Sequence, residues 1–271
     1  MPVQIETHAR LDDAVRACAQ SANARFFGGG TLLMRAVNEG DQSFDRIIRC
    51  SDPVLREIRM DGNAISIGAG VTMLEIMENR DTAFLAPVAR IVGGPAVRSA
   101  ATIGGNLYAD LPYGEMTTAL LALGATIRFA GDAQGVSIDD FLRDRASRRN
   151  RVVQSISIPR VSDVTNFRFL KVTRVKPKGA ALMSIAAYLN RSSGSGGIRV
   201  AYGNMGPMPV RALAVERALE GASLDERGIA RALEVATEGL EPPTDAFASS
   251  WYRREVAPVH LKRLLLGSGR A

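Results

Sequence analysis

The chain has 271 residues, with 34 lysines and arginines against 28 aspartates and glutamates, for a formal net charge of +6. Its 46% hydrophobic and 23% charged residues are a globular balance, which excludes disorder, a collagen-like repeat and a small disulfide scaffold. No apolar run reaches the roughly 18–20 residues of a membrane-spanning helix, the N-terminal residues lack the basic-then-apolar order of a secretory leader, and the two cysteines, Cys18 and Cys50, lie far apart. The expectation is a cytoplasmic chain without bridges.

Leu11, Ala14, Val15 and Cys18 recur at i, i+3, i+4 and i+7 and predict a first amphipathic helix. Thr7 is its expected cap, and Asp12 and Asp13 suit its opening turns. Residues 24–27 read as a short strand running into Gly28-Gly29-Gly30-Thr31, followed by a helix over 32–38 and a second strand over 46–49. Strand, helix, strand in that order predicts two parallel neighbours. Ile58, Ile65 and Ile67 predict a hairpin turned by Asp61-Gly62-Asn63. Thr72, with Glu75 three residues on, predicts a capping box for a helix over 73–78. A further helix is expected over 85–92, another over 116–123 ending at Gly124, and strands over 125–129 and from Val152 to Pro159.

The arginine run Arg143, Arg145, Arg148, Arg149 and Arg151 reads as a solvated face or a docking surface. With no aromatic interleaved, it does not read as a nucleic-acid site. Residues 166–173, 181–189 and 198–205 are three strand candidates, the last two joined by a serine–glycine loop over 192–197. Helices are expected over 210–220, over 224–238 behind a Ser223/Glu226 capping box, and over 251–266 with a break at Pro258.

Several chemistries are excluded by absence. There is no GxxxxGK and no GxSxG, and the first glycine loop fails GxGxxG because Leu33 takes the last glycine position. Two separated histidines, His8 and His260, and two separated cysteines offer no zinc or iron–sulfur ligand set. Redox chemistry in this chain therefore calls for an organic cofactor. Two segments suit one: Phe27-Gly28-Gly29-Gly30-Thr31 and Thr102-Ile103-Gly104-Gly105-Asn106. Glycines admit close backbone approach, and successive amides form an anion nest, so two such loops suit a dinucleotide diphosphate held from both sides. Each loop taken alone also reads as a plain turn.

The order GGGT, IGAGVT, AVRSAATIGGNL, LLALGA, SISIP, LKVTR, AYGNMGPMPVRA and WYRR resembles the FAD-binding medium subunit of molybdenum hydroxylases, the carbon monoxide dehydrogenase and xanthine dehydrogenase type. The resemblance covers residues 3–266. It implies an α+β fold, with a two-part FAD-binding domain of the PCMH/VAO-like type over 1–162. A C-terminal three-stranded antiparallel sheet with helices, like that of carbon monoxide dehydrogenase flavoproteins, would occupy 163–271. Carried over by position, Phe27, Gly28, Gly29, Gly30, Thr31 and Leu32 would hold the pyrophosphate from one side. Ala101, Thr102, Gly104, Gly105 and Asn106 would hold it from the other. Glu115 falls where the family has aspartate and would accept from the cofactor. Val153 and Lys171 would lie near the flavin ring. No residue is assigned to substrate oxidation and none to a metal.

The implied role is an FAD-carrying electron-transfer subunit. Its partners would be a [2Fe–2S] small subunit and a molybdopterin large subunit, in a dimer of heterotrimers, with no nucleic acid and no membrane span. Gly28 stands where the family commonly has alanine, Leu32 where it has a polar residue, Met73 where it has histidine, and Gly179 near a family acidic residue. The departures at Leu32 and Gly179 leave open a cofactor-free binding or assembly module of the same fold; a self-contained flavin reductase of related fold, which would need its own hydride-donor site, is a third reading.

Overall fold

A computed structural model of the chain describes residues 3–161, 163–175, 179–190 and 197–267. The chain divides into two compact units, Met1–Ala109 with Ala125–Arg160, and Asp110–Gly124 with Val161–Ala271.

The first unit contains two sheets. β1 (Gln4–His8), β2 (Ala24–Phe26) and β3 (Arg46–Cys50) form a parallel sheet in the order β1-β3-β2. β2 and β3 are the expected parallel neighbours. β1 was not expected: its largely exposed residues show no apolar stripe, and its backbone pairing with β3 holds it. That pairing extends Thr7 opposite Arg49, so Thr7 does not cap the helix Leu11–Ala19. The Leu11 N–H instead donates to Asp52 Oδ2 at 2.9 Å, a partner distant in sequence. The helix buries Leu11, Ala14, Ala17 and Cys18. Burial, then the charges of Glu6 and Cys50, push the Cys18 thiol up to about 11, so it is a protonated packing group at neutral pH.

The second sheet is antiparallel, made of β4 (Ile58–Asp61), β5 (Ala64–Gly68), β6 (Thr126–Phe129), β7 (Val136–Ser137) and β8 (Val153–Pro159) in the order β4-β5-β8-β6-β7. The hairpin turns at Gly62, whose φ of +58° suits glycine. Ile65, Ile67, Ile127, Phe129, Ile156 and Ile158 are buried along it. The Thr72 capping box forms as expected, with Glu75 Oε2 accepting from Thr72 N at 2.8 Å and Thr72 Oγ1 accepting from Glu75 N at 3.2 Å.

The arginine run is largely consumed within this unit. Arg143 pairs with Asp140, and Arg145 donates to the Ala109 carbonyl at 2.9 Å. Arg148 pairs with Asp144 at 3.0 Å and Arg151 with Asp132 at 2.6 Å. Arg148 and Arg151 also lie over the Phe129 ring, at 5.6 and 4.2 Å. The Tyr108 hydroxyl donates to the Arg148 carbonyl at 3.1 Å. Two of the five arginines, Arg148 and Arg151, thus pack on an aromatic ring, while Arg143 and Arg149 are exposed as a solvated face would be.

The second unit is built on an antiparallel sheet of β9 (Phe167–Thr173), β10 (Ala181–Leu189), β11 (Ile198–Gly203) and β12 (Val210–Arg211), in the order β12-β11-β10-β9. It has four strands where three were expected. Val210 and Arg211 pair with Tyr202 and Ala201 instead of opening a helix, which begins only at Leu213. Glu216 explains this: its carboxylate accepts from Val200 N at 2.9 Å and from the Arg211 guanidinium, clamping the segment along β11.

The Ser223/Glu226 capping box does not form. Asp225 accepts from the N–H groups of Arg227 and Gly228, Glu226 turns to Lys262 at 2.8 Å, and helix is confined to Ala230–Glu234. The last helix, Ser250–Leu265, runs unbroken through Pro258, because Ala257, Leu261, Leu264 and Leu265 are buried on both sides of it. Ser249 caps it, accepting from Tyr252 N. The expected loop over 192–197, apart from Gly197, and Lys176–Lys178 lie outside the described residues.

The helix Glu115–Leu123 is buried along its whole length and packs on β10 and β11. The alternating residues of the sheet, Val172, Ile185, Val200 and Tyr202, join the core formed with the C-terminal helices.

Candidate functional site

The first glycine loop leaves β2 through Phe27, whose N–H donates to the Ile48 carbonyl at 2.8 Å. The chain then turns at Gly30, φ +71°, and enters the helix Leu33–Asn38. Among the described residues, the N–H groups of Gly28, Gly29, Gly30, Thr31 and Leu32 have no acceptor. Five consecutive half-buried or exposed donors without partners are the elements of an anion nest.

The second segment is a turn of helix, Ile103–Leu107, rather than an open loop. Thr102 caps it, its Oγ1 accepting from Gly105 N at 3.1 Å. The strand-like residues before it bridge Thr102 to Thr72, and Ala101 O accepts from Met73 N at 2.9 Å. Ile103 N donates to Val71 O, and Gly104 N to Ala69 O, each at 2.9 Å. The segment Ala69–Thr72 is the seat of this turn. Its IGAGVT sequence is visible in the chain, but its partner is not.

The two segments touch. A Cβ on Gly28 would meet Thr102 Oγ1 at 2.7 Å and the Gly105 Cα at 3.2 Å, and one on Gly29 would strike the Ala100 carbonyl. The glycines thus let two backbones meet where side chains would hold them apart. Gly105 is exposed and Asn106 buried, its N–H donating to Thr102 O at 3.0 Å. Gly104 is buried against Ala69, where a Cβ would collide, so its smallness serves packing. Ala101 is buried with both backbone groups engaged. Val153 opens β8, buried opposite Phe129, in the strand against which the turn 103–107 packs. Leu32 is 36% exposed at the loop's end.

Glu115 and Lys171 come together in the second unit. Glu115 Oε1 and Lys171 Nζ stand 2.6 Å apart with side chains only 5% and 9% exposed. Lys171 lies opposite Ser184, and Ser184 opposite Gly203, in neighbouring strands. Ser184 Oγ donates to Thr118 Oγ1 at 3.3 Å, and Asn204 Nδ2 donates to the Pro112 and Ala181 carbonyls. This polar row fastens the 110–124 excursion to the sheet. Removing one partner of a buried pair strands the other charge, so Lys171→Met is expected to cost about 3 kcal/mol. Lys171→Met combined with Glu115→Gln is expected to recover much of that loss in urea unfolding.

Neither loop carries an acid, base or nucleophile, and among the described residues no three His, Cys, Asp or Glu side chains gather to hold a metal. No helix among the described residues is long and apolar enough to cross a membrane. The arrangement offers backbone N–H donors and close backbone approach.

A family model described as the FAD binding domain in molybdopterin dehydrogenase matches residues 2–161, and one described as the CO dehydrogenase flavoprotein C-terminal domain matches residues 170–268. The chain is 29% identical to the glyceraldehyde dehydrogenase medium chain of Sulfolobus acidocaldarius, over 92% of both chains. It is 26% identical to an indole-3-acetaldehyde oxidase of Arabidopsis thaliana, covering 97% of this chain and 22% of that larger protein. A chain in the crystal structure of quinoline 2-oxidoreductase from Pseudomonas putida 86 superposes with a TM-score of 0.86 at 28% identity, covering 100% of this chain and 98% of that one.

Proposed function

Because the chain belongs to the family of FAD binding domains in molybdopterin dehydrogenases, continued by a CO dehydrogenase flavoprotein C-terminal domain, we propose that its two glycine segments hold the FAD diphosphate and make it the electron-transfer subunit of a molybdenum hydroxylase. The observation that carries this reading is the run of five unpartnered N–H groups from Gly28 to Leu32, set against Thr102 and Gly105. Such a run fits a diphosphate, and an apolar or cationic ligand would leave it unsatisfied. Bound FAD would supply the redox chemistry of its flavin ring.

The chain's own work is positional. The amides of 28–32 bind the diphosphate, Thr102 holds the opposing turn in shape, and Asn106 and Val153 are further contacts in this proposal. Glu115 and Lys171 are proposed as cofactor-tuning residues on the strength of the resemblance alone. Electrons would arrive from [2Fe–2S] clusters of a small subunit, with substrate oxidised on a molybdopterin large subunit. The proposed assembly is a dimer of heterotrimers in the cytoplasm.

The test is the absorbance spectrum of the purified chain after incubation with FAD, with the released cofactor identified by mass. A flavin spectrum with FAD released is expected. Absence of flavin from the complex co-purified with its partner subunits would overturn this reading in favour of a cofactor-free module.

A further inference from the structure

Arg49 stands at the end of β3, next to the first glycine loop. Its guanidinium lies 5.3 Å from the centroid of the Phe27 ring, and the edge of that ring reaches the place a Gly30 Cβ would take. Phe27 therefore couples a cation to the loop whose amides have no acceptors. The other arginines of this sheet are engaged. Arg46 faces Glu6 at 3.3 Å, and Arg25 donates to the carbonyls of Ala22, Ala24 and Ser43. Arg49 is exposed and, among the described residues, has neither a carboxylate nor a carbonyl partner. Its planar fork of donors keeps its full hydrogen-bonding capacity while the ring restrains its position.

Amide nests contribute partial charges only. A dinucleotide diphosphate carries two full negative charges, and a guanidinium binds phosphate oxygens in a two-pronged way that amides cannot. Resting on the cofactor reading above, we propose that Arg49 is a phosphate clamp of the Gly28–Leu32 loop, supplying the full positive charge that fits the site to diphosphate-bearing nucleotides. It touches no redox centre and acts by binding alone.

The test uses the full chain, with FAD and ADP as probes, in wild type, Arg49→Gln and Arg49→Lys. Arg49→Gln is expected to weaken both ligands about tenfold, the scale of one charge-assisted contact at an exposed site. Arg49→Lys keeps the charge and is expected to restore part of that affinity. The fall of FAD affinity with rising salt is expected to be shallower in Arg49→Gln, a change that a merely structural prop on Phe27 would not produce. Because Arg49 is exposed, the unfolding midpoint of Arg49→Gln is expected to match wild type. Equal affinities and equal salt slopes in wild type and Arg49→Gln overturn the clamp and leave the cofactor reading standing. A wild-type chain that binds neither probe, alone or in its complex, overturns both.

Discussion

Gly29→Ala is expected to lower the affinity of the proposed site for FAD by about a hundredfold or more and the stability of the first unit by about 3 kcal/mol. The new methyl group would fall on the Ala100 carbonyl, which is backbone and cannot rotate away. Nor can that backbone yield easily. Ala100 N and Ala101 N both donate to the Val97 carbonyl, at 3.1 and 2.7 Å, and Ala101 O accepts from Met73 N. The loop over 27–32 must therefore lift from the turn at 102–106, which separates the two halves of the proposed diphosphate site. Gly28→Ala meets Thr102 Oγ1 at 2.7 Å and the Gly105 Cα at 3.2 Å, a longer approach than the Gly29 clash with backbone, and is expected to be milder. Gly105→Ala, exposed and with its nearest neighbour at 3.0 Å, is expected to be milder still. Flavin titration with thermal unfolding of the three variants checks the order. A Gly29→Ala protein that binds FAD like wild type refutes it.

Arg253→Met is expected to destabilise the second unit by about 4–5 kcal/mol. Arg253 is fully buried. It donates to the carbonyls of Leu182, Pro243 and Ala248 and to both oxygens of Asp245, so it ties the last helix to β10 and to the segment before that helix. Methionine fills much of the space but takes the guanidinium donors from the Leu182 and Pro243 carbonyls and leaves the Asp245 carboxylate, still held by the N–H groups of Phe247 and Ala248, without its counter-charge. Asp245→Asn keeps an acceptor and is expected to cost about 2 kcal/mol at neutral pH.

The pair also sets an acid dependence. Burial raises the Asp245 pKa, but the N–H groups of Ala248 and Phe247 and the Arg253 guanidinium outweigh it and hold the carboxyl below its ordinary value. A depressed folded-state pKa contributes stability above the unfolded value and loses it as pH falls through the folded one. The gap between wild type and Asp245→Asn is therefore expected to narrow from about pH 4 downward. Urea midpoints at pH 7 and pH 3 measure it. A gap that stays constant would show that the carboxylate's charge plays no part.

Local signals in the chain were legible where a residue's partner lies a few positions away. The Thr72 capping box, the Gly62 hairpin and the end of the buried helix at Gly124 all depend on neighbours within one turn. The glycine segments were legible as candidates for the same reason, since glycine runs announce unusual backbone. What they do was not. The chain does not show that Gly104 packs on Ala69 while Gly105 faces solvent, because that depends on a partner segment more than 30 residues upstream. Nor does it show Arg49 over Phe27, since that contact follows from the pairing of β2 with β3.

The misreadings share one cause. Thr7 and Ser223 are sound caps by sequence, but a parallel strand claimed the first and an Asp225 turn displaced the second. Pro258 is a sound helix breaker, but the buried residues on either side of it outweigh the lost hydrogen bond. Val210 and Arg211 suit a helix start, but Glu216 clamps them to β11.

The scarcity of histidine and cysteine and the two glycine segments pointed by themselves to an organic cofactor for any redox chemistry here. The order of motifs carried the family. Only the tertiary structure decided that residues 110–124 leave the first unit to join the second, through a buried Glu115–Lys171 pair and a helix covered on every face. Only it decided that the two glycine segments meet backbone to backbone. Hydrogen bonding within a turn is a property of a few consecutive residues, whereas burial and ion pairing belong to whichever distant segments the fold brings together.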